Sequence, residues 1–270
     1  MNDQPRTKPG TALITGASSG LGEFYARHLA ARGYNLILVA RRETLLQTVA
    51  GDLRQKHGVT AEVLAADLAT EPGIALVVKR IQDCQDLTLL INNAGFGSGG
   101  VFHQIDITKQ LNMIQVHVVA TARLTRAALP QMVERRQGGI INVASVAGFA
   151  CIPTSAMYGS TKAWMIAFSR TIAEELRPTG VRVQALCPGF THTGFHDTPE
   201  YKNFDRSVIP GMLWMTSDEV VAISLKALTR DQVVVIPGLI NKIMVAALRL
   251  PPIAMLARYY GRKRWHRDRK

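Results

Sequence analysis

Tyr158 and Lys162 stand four residues apart in the run YGSTK, and Ser145 lies thirteen residues before Tyr158. Four residues is about one helical turn, so the phenol and the ammonium would leave the same helix face. A phenol beside a cation can work as a general acid or base, because nearby positive charge lowers a pKa that is otherwise about 10. Pairs at this spacing also arise by chance on solvated helix faces, so the chemistry needs support from elsewhere in the chain.

That support starts near the N-terminus. TALIT at 11–15 is a short apolar run, TGASSGLG follows through Gly22, and EFYARHLAARG then has apolar residues at helical spacing. Strand, glycine turn and helix are the context of a dinucleotide fingerprint. Gly16, Gly20 and Gly22 let the backbone turn sharply and approach a pyrophosphate. The helix start offers free N–H groups and the positive end of its dipole. A second strand, NLILVA at 35–40, ends in Arg41 and Arg42. An acidic residue here would bond a ribose 2′-hydroxyl and select NAD(H), whereas arginine accommodates a 2′-phosphate and selects NADP(H). With no carboxylate before Glu43, the sequence favours NADP(H) over NAD(H), the alternative being that both arginines open a solvated helix.

Elements alternate along the chain. Short apolar strands are expected at 11–15, 35–40, 61–66, 87–91, 139–144, 181–186 and 232–236. Helices are expected near 20–32, 42–56, 71–83, 105–136, 156–177 and 217–229. Apolar strands alternating with helices imply an α/β fold, a Rossmann-type doubly wound parallel sheet of about seven strands covered on both faces. Ligands of such sheets lie beyond the carboxyl ends of the strands. The glycine turn, Asp67, Asn92 to Gly95, Ser145 and Pro188-Gly189 all follow strands, so they converge on one edge.

The bulk numbers fit one such domain. The 270 residues are 47% hydrophobic, with no linker or repeat, enough for a large buried core. We expect a single domain over 1–238, with a substrate lid at 190–216, and an extension at 239–270. The first ten residues lack the apolar core of a signal peptide, and no apolar run is long enough for a spanning helix. Cys84, Cys151 and Cys187 are widely spaced, as in a reducing, cytoplasmic setting. His192 and His196 are four apart without a third ligand, so no metal site is expected.

With these motifs together, the chain resembles the short-chain dehydrogenase/reductase family over roughly residues 9 to 240. The resemblance rests on TGASSGLG at 15–22, Asp67, NNAG at 92–95, Ser145, YGSTK at 158–162 and PGFTHT at 188–193. It implies NAD(P)-dependent carbonyl or alcohol chemistry. Tyr158 would exchange a proton with the substrate oxygen, Ser145 would bond that oxygen, and Lys162, together with the positive nicotinamide of the oxidised cofactor, would lower the phenol pKa and also bond the nicotinamide ribose. By the same resemblance Gly16, Ser18, Ser19, Gly20, Leu21 and Gly22 would hold the pyrophosphate side. Asp67 and Leu68 would contact adenine, although an aspartate after a strand is also a common turn former. Asn93, Ala94 and Gly95 would pass close to the adenosine ribose. Pro188 and Gly189 would turn beside the nicotinamide, with Thr193, and less so Thr191, bonding its carboxamide. Family members are often dimers or tetramers, so a homo-oligomer is expected.

One position departs from the family pattern. Many members carry an asparagine in the helix after NNAG that helps hold a water of a proton relay. Ungapped counting puts His117 there. A histidine donates and accepts, so His117 has the means to hold that water; packing on a mixed helix face is the equal alternative.

The segment 190–216 contains Phe190, Phe195, Phe204, Ile209, Met212, Leu213, Trp214 and Met215, and Phe96, Phe149 and Ile152 lie on neighbouring loops. Such a lining suits a lipophilic carbonyl or alcohol, namely an acyl chain, a sterol-like ring system or an aromatic ketone; packing of the lid onto the domain would give the same composition. Residues 239–260 are apolar with isolated positive charges, and from Arg258 onward there are seven Lys/Arg and one Asp, half of the net charge of +12. An apolar helix beside a basic cluster describes an anchor for an anionic membrane surface, with subunit packing as the alternative. The Pro251-Pro252 break disfavours a spanning helix, and the lack of a binding module disfavours nucleic acid.

Overall fold

The computed structural model describes residues 9–197 and 205–248. Seven strands form one parallel sheet: β1 (Thr11–Thr15), β2 (Asn35–Ala40), β3 (Ala61–Ala65), β4 (Leu87–Asn92), β5 (Gly138–Val143), β6 (Val181–Leu186) and β9 (Val234–Val235). Their order across the sheet is β3-β2-β1-β4-β5-β6-β9. The Rossmann-type expectation therefore holds.

Period-two alternation builds the two layers. In β1 all five residues are buried, yet Ala12 and Ile14 point into one cluster and Leu13 into the other. The first cluster takes residues from helices α1 (Gly20–Ala30), α2 (Glu43–His57) and α7 (Ser217–Leu228), among them Tyr25, Leu46 and Val220. The second takes residues from α3 (Glu71–Gln82), α5 (Thr121–Glu134) and α6 (Ala156–Leu176), among them Ile74, Leu124 and Leu176. Each fully buried Leu or Ile contributes roughly 1.5–3 kcal/mol of transfer free energy. The chain switches direction across the sheet between β1 and β4, and a crevice opens there beyond the strand ends.

Three features differ from the expected elements. The last strand is two residues long rather than five. The single helix expected over 105–136 is α4 (Ile107–Ile114), a π-helical stretch at Gln115–Ala120, and then α5. The apolar pattern runs through unbroken, so periodicity alone does not reveal the wider turns. The lid is not open coil: β7 (Phe190–His192) pairs in parallel with β8 (Trp214–Thr216). Trp214 packs there against Phe190, stacks on His192 at 4.8 Å, and meets the Arg206 guanidinium at 5.7 Å. Phe204, the Pro251-Pro252 break and the whole basic cluster from Arg258 onward lie outside the described residues.

Helix α8 (Leu239–Leu248) follows β9 and buries Asn241 and Val245, while Leu239 is 72% and Ile243 59% exposed. It packs against residues 146–149, just after Ser145, and against residues 211–213 of the lid. Among the described residues, no helix is long and apolar enough to cross a membrane.

Candidate active site

Ser145 leaves the end of β5 in extended conformation and caps the short 3-10 helix Val146–Phe149, its Oγ accepting the Ala147 N–H at 3.1 Å. Tyr158 and Lys162 sit in the first turns of α6, one turn apart. The Ser145 side chain lies close enough to the Tyr158 hydroxyl to draw its pKa down. The Lys162 ammonium donates to the Val143 carbonyl at 2.8 Å and lies 5.8 Å from the centre of the Tyr158 ring. Strand end and helix start therefore place all three groups at one edge of the sheet.

Their electrostatics differ from the expectation for a cation-assisted phenol. Burial pushes the Tyr158 pKa up, and the neighbouring Ser145 side chain opposes this only in part. Burial also pushes Lys162 down to about 7, so its ammonium is a weak source of positive charge near neutrality. The cause is shared: a dry site disfavours any charged form. Of the protein's own groups none draws the phenol towards phenolate as far as burial pushes it away, so Tyr158 stays a proton donor at neutral pH.

His117 lies in the π-helical stretch and is fully buried. The Phe96 backbone N–H donates to its Nε2 at 3.2 Å, which leaves the ring proton on Nδ1. Nδ1 then donates to the Thr161 Oγ at 2.9 Å, and that hydroxyl donates to the Tyr158 carbonyl. Burial and the nearby Lys162 hold the His117 pKa well below 6.5, so the ring is neutral. Both ring nitrogens are taken up inside the protein. A Cβ on Gly95 would lie 2.7 Å from Nε2, so glycine there is what lets this ring pack under the NNAG turn.

The residues assigned to a cofactor differ in how the structure holds them. Helix α1 starts at Gly20 without a side-chain cap, which leaves N–H groups directed at the crevice. Gly16 has φ +67° and Gly20 φ +56°, and a Cβ on Gly16 would lie 2.8 Å from the Asn93 amide. A Cβ on Gly22 would run into the Gly16 carbonyl. Thr193 faces Gly20 across the crevice. Arg41 and Arg42 are both exposed, and Arg42 donates to Ser18 Oγ and Ser19 Oγ, at 3.0 and 2.9 Å, and so stands over the glycine turn. Leu21 is half-buried and packs on the first core cluster. Leu68 is buried in the other cluster, and Asp67 accepts the Ala69 N–H in a local turn. Thr191 is buried and donates back to the Gly189 carbonyl, so Thr193 is the threonine that faces the crevice. An anion beside an uncapped helix, with a guanidinium at hand, is what a nucleotide with phosphates requires, and these residues fit one.

The sequence reading passed over Thr15 and Thr161. Thr15 Oγ accepts the N–H groups of Asn93 and Ala94, both at 2.9 Å, and donates to the Ile91 carbonyl. Thr161 connects His117 to Tyr158. Its place inside YGSTK, one turn after Tyr158, is the signal that was available. On the substrate side, Phe195 of the lid packs on Tyr158 at 5.9 Å between ring centres, and Phe96 packs on His117 at 6.0 Å. Trp214, by contrast, is taken up in lid packing.

With this geometry in hand, the comparisons decide the family. The family model described as short chain dehydrogenase matches residues 10–202. The chain belongs to the short-chain dehydrogenase family. Its seven-stranded sheet aligns with a short-chain dehydrogenase from Sphingobium yanoikuyae solved in complex with NADPH, at 37% identity and a TM-score of 0.79, covering 85% of this chain and 88% of that one. A very-long-chain 3-oxoacyl-CoA reductase of Phaeosphaeria nodorum is 37% identical over 65% of this chain and 53% of its own length. The human inactive hydroxysteroid dehydrogenase-like protein 1 is 34% identical over 67% of this chain and 56% of its own length. The chain thus spans about half the length of these two relatives. As a short-chain dehydrogenase it is an oxidoreductase by family, with a nicotinamide cofactor.

The depressed Lys162 pKa has a consequence for stability. Its folded value, about 7, lies below the ordinary 10.5, so between these values the unfolded chain binds more protons and stability rises with pH. Below pH 7 the penalty for the buried ammonium is at its maximum. Lys162→Met removes it. Thermal unfolding followed from pH 7 to 10 should show the wild-type midpoint rising relative to that of the variant; parallel curves would mean that the amine is not held near 7.

Proposed function

We propose that the chain is an NADP(H)-dependent oxidoreductase that moves a hydride between the nicotinamide and the carbonyl or secondary alcohol of a lipophilic substrate. The observation that carries this reading is the gathering of Ser145, Tyr158 and buried Lys162 at one edge of the sheet, under an aromatic side chain of the lid. When bound, the cofactor supplies or accepts the hydride. The chain's own groups do the rest. Ser145 Oγ fixes the substrate oxygen within reach of Tyr158 Oη, and such positioning accounts for much of the rate of reactions between two bound partners. Tyr158, kept protonated by burial, gives its proton to that oxygen during reduction. Lys162 holds α6 to the end of β5 through the Val143 carbonyl.

Arg42 supports the NADP(H) preference, since its guanidinium crosses the glycine turn where a 2′-phosphate would sit. The NADPH complex of the Sphingobium relative agrees with it. A lipophilic substrate is supported by Phe195 and Phe96 around the Tyr158 and His117 rings, and by the very-long-chain acyl substrate in the name of the fungal relative. The relative named inactive favours a second reading, a non-catalytic NADP-binding protein. This chain's complete Ser145, Tyr158 and Lys162 set argues against that reading.

A lipid surface is the proposed location of the substrate. Leu239, Ile240 and Ile243 on α8 and Met212 on the lid are exposed apolar side chains, and the sequence that follows α8 is strongly basic. Because Asn241 and Val245 are buried, the segment to remove in a test is 249–270 and not α8 itself.

Three outcomes follow. Tyr158→Phe should lower kcat at least about a hundredfold against a panel of apolar ketones and 3-oxoacyl thioesters, while NADPH affinity stays within about threefold. Retained turnover would refute the proton-transfer role, and a wild type without turnover on the whole panel would favour the non-catalytic reading. Arg42→Ala should raise KM for NADPH about 10- to 100-fold and leave KM for NADH nearly unchanged; equal effects on both cofactors would remove the 2′-phosphate assignment. Chain truncated after Leu248 should bind vesicles containing anionic phospholipid more weakly than the full chain, and equal co-sedimentation would end the membrane proposal.

A further inference from the structure

Asn241 is the second residue after the exposed Leu239 on α8, yet it is only 2% exposed. Its Nδ2 donates to the Pro237 carbonyl at 3.0 Å, which fixes the amide orientation, because the reverse would set Oδ1 against that carbonyl. Oδ1 is then buried with no hydrogen-bond partner. An unpaired buried acceptor is costly, and a Leu or Val would fill the same space without that cost.

The amide faces Gly189. A Cβ on Gly189 would lie 2.5 Å from Asn241 Oδ1, 2.6 Å from Nδ2 and 2.7 Å from Cγ, so the amide lies directly on the Gly189 backbone. Glycine is required there for close approach rather than for its φ, which is not in the left-handed region. The Gly189 turn is itself tied to the reacting groups. The Pro188 carbonyl accepts the Val146 N–H at 3.0 Å, next to Ser145, and the Gly189 carbonyl accepts from Thr191 at the start of the lid. On its other side Asn241 meets Gly238, whose Cβ would lie 3.2 Å from Nδ2 and 3.0 Å from Met215 Sδ on β8.

We propose that Asn241 is a positioning residue for the nicotinamide end of the cofactor site, and that helix α8 is through it a working part of that site. The amide sets how far the Pro188-Gly189 turn advances into the crevice, and α8 carries that setting to the Ser145 shoulder at 146–149 and to the lid at 211–213. The inference rests on the nicotinamide-cofactor reading above. It assigns a function to a segment that charge and hydropathy alone describe as an appendage.

A double-mutant cycle on the full chain tests it, with NADPH and 2′,5′-ADP as probes in titration calorimetry. The second probe has the adenosine and the 2′-phosphate but no nicotinamide. Asn241→Ala should weaken NADPH about five- to tenfold and change 2′,5′-ADP affinity by less than about twofold. Gly189→Ala should weaken NADPH at least as much, because its methyl meets the amide. In Gly189→Ala/Asn241→Ala the methyl has room, so the loss should be smaller than the product of the single losses. Equal loss for both probes, no loss for either, or multiplying effects would overturn the proposal. Thermal unfolding of each variant shows that it is folded, and Asn241→Ser replaces Asn241→Ala if the latter is not. Wild-type binding is the separate check on the cofactor. Preference for NADH would fail the NADP(H) reading and leave this test to be run with NADH and AMP. A wild type that binds neither dinucleotide would remove both.

Discussion

The site depends on one clamp, made where β1 and β4 part. Neighbouring strands that send their chains to opposite faces of the sheet lose ladder partners at their ends, and those backbone groups must bond elsewhere. Thr15 takes the N–H groups of Asn93 and Ala94, and Asn93 returns its amide to the carbonyls of Thr15 and Gly16. The glycine turn and the NNAG turn are thereby fixed against each other. Gly95 then stands over His117 and near Lys162, so the phosphate side and the proton-transfer side of the crevice share one reference point.

Burying so much polar surface at this edge has a uniform electrostatic result. The Asn92 amide donates to Asn142 and Thr125, and the Asn142 amide donates to Ser169, which carries a polar ladder beneath α5 and α6. Above it, Tyr158 is pushed up, Lys162 down to about 7, and His117 far down, each towards its neutral form. The polar groups left at this edge are therefore neutral donors and acceptors rather than fixed charges. The aromatic rings of Phe96 and Phe195 extend the same dryness to either side of the phenol.

Most of the strands, the glycine turn and the Tyr158–Lys162 face were legible in the sequence, because each rests on local spacing. What escaped depends on distance in space. In the protein alone the Tyr158 shift runs upward, because sequence separation gives the cation's proximity but not the burial of the phenol and the amine. Leu68 packs in the second core cluster and Trp214 stacks on His192, contacts that composition does not reveal. Thr15, Thr161 and Asn241 belong to residue types that cap and turn chains everywhere, and only their partners single them out. The π-helical turns at Gln115–Ala120 left the apolar pattern intact and yet moved the face on which His117 lies.

That displacement bears on how the phenol is resupplied. A relay group must hold a water or pass a proton, and His117 has no ring nitrogen outside the Phe96–His117–Thr161–Tyr158 chain of bonds. Gaining a proton would break the bond from Phe96 and create a buried cation beside Lys162, which burial and that neighbour both oppose. The geometry gives His117 a mechanical part instead: it pins the loop after NNAG to the helix that carries Tyr158. Lys162, which burial holds down to about 7, is the other titratable group beside the phenol. With histidine at this position the chain ties the loop after NNAG to α6 through side-chain bonds that occupy both ring nitrogens.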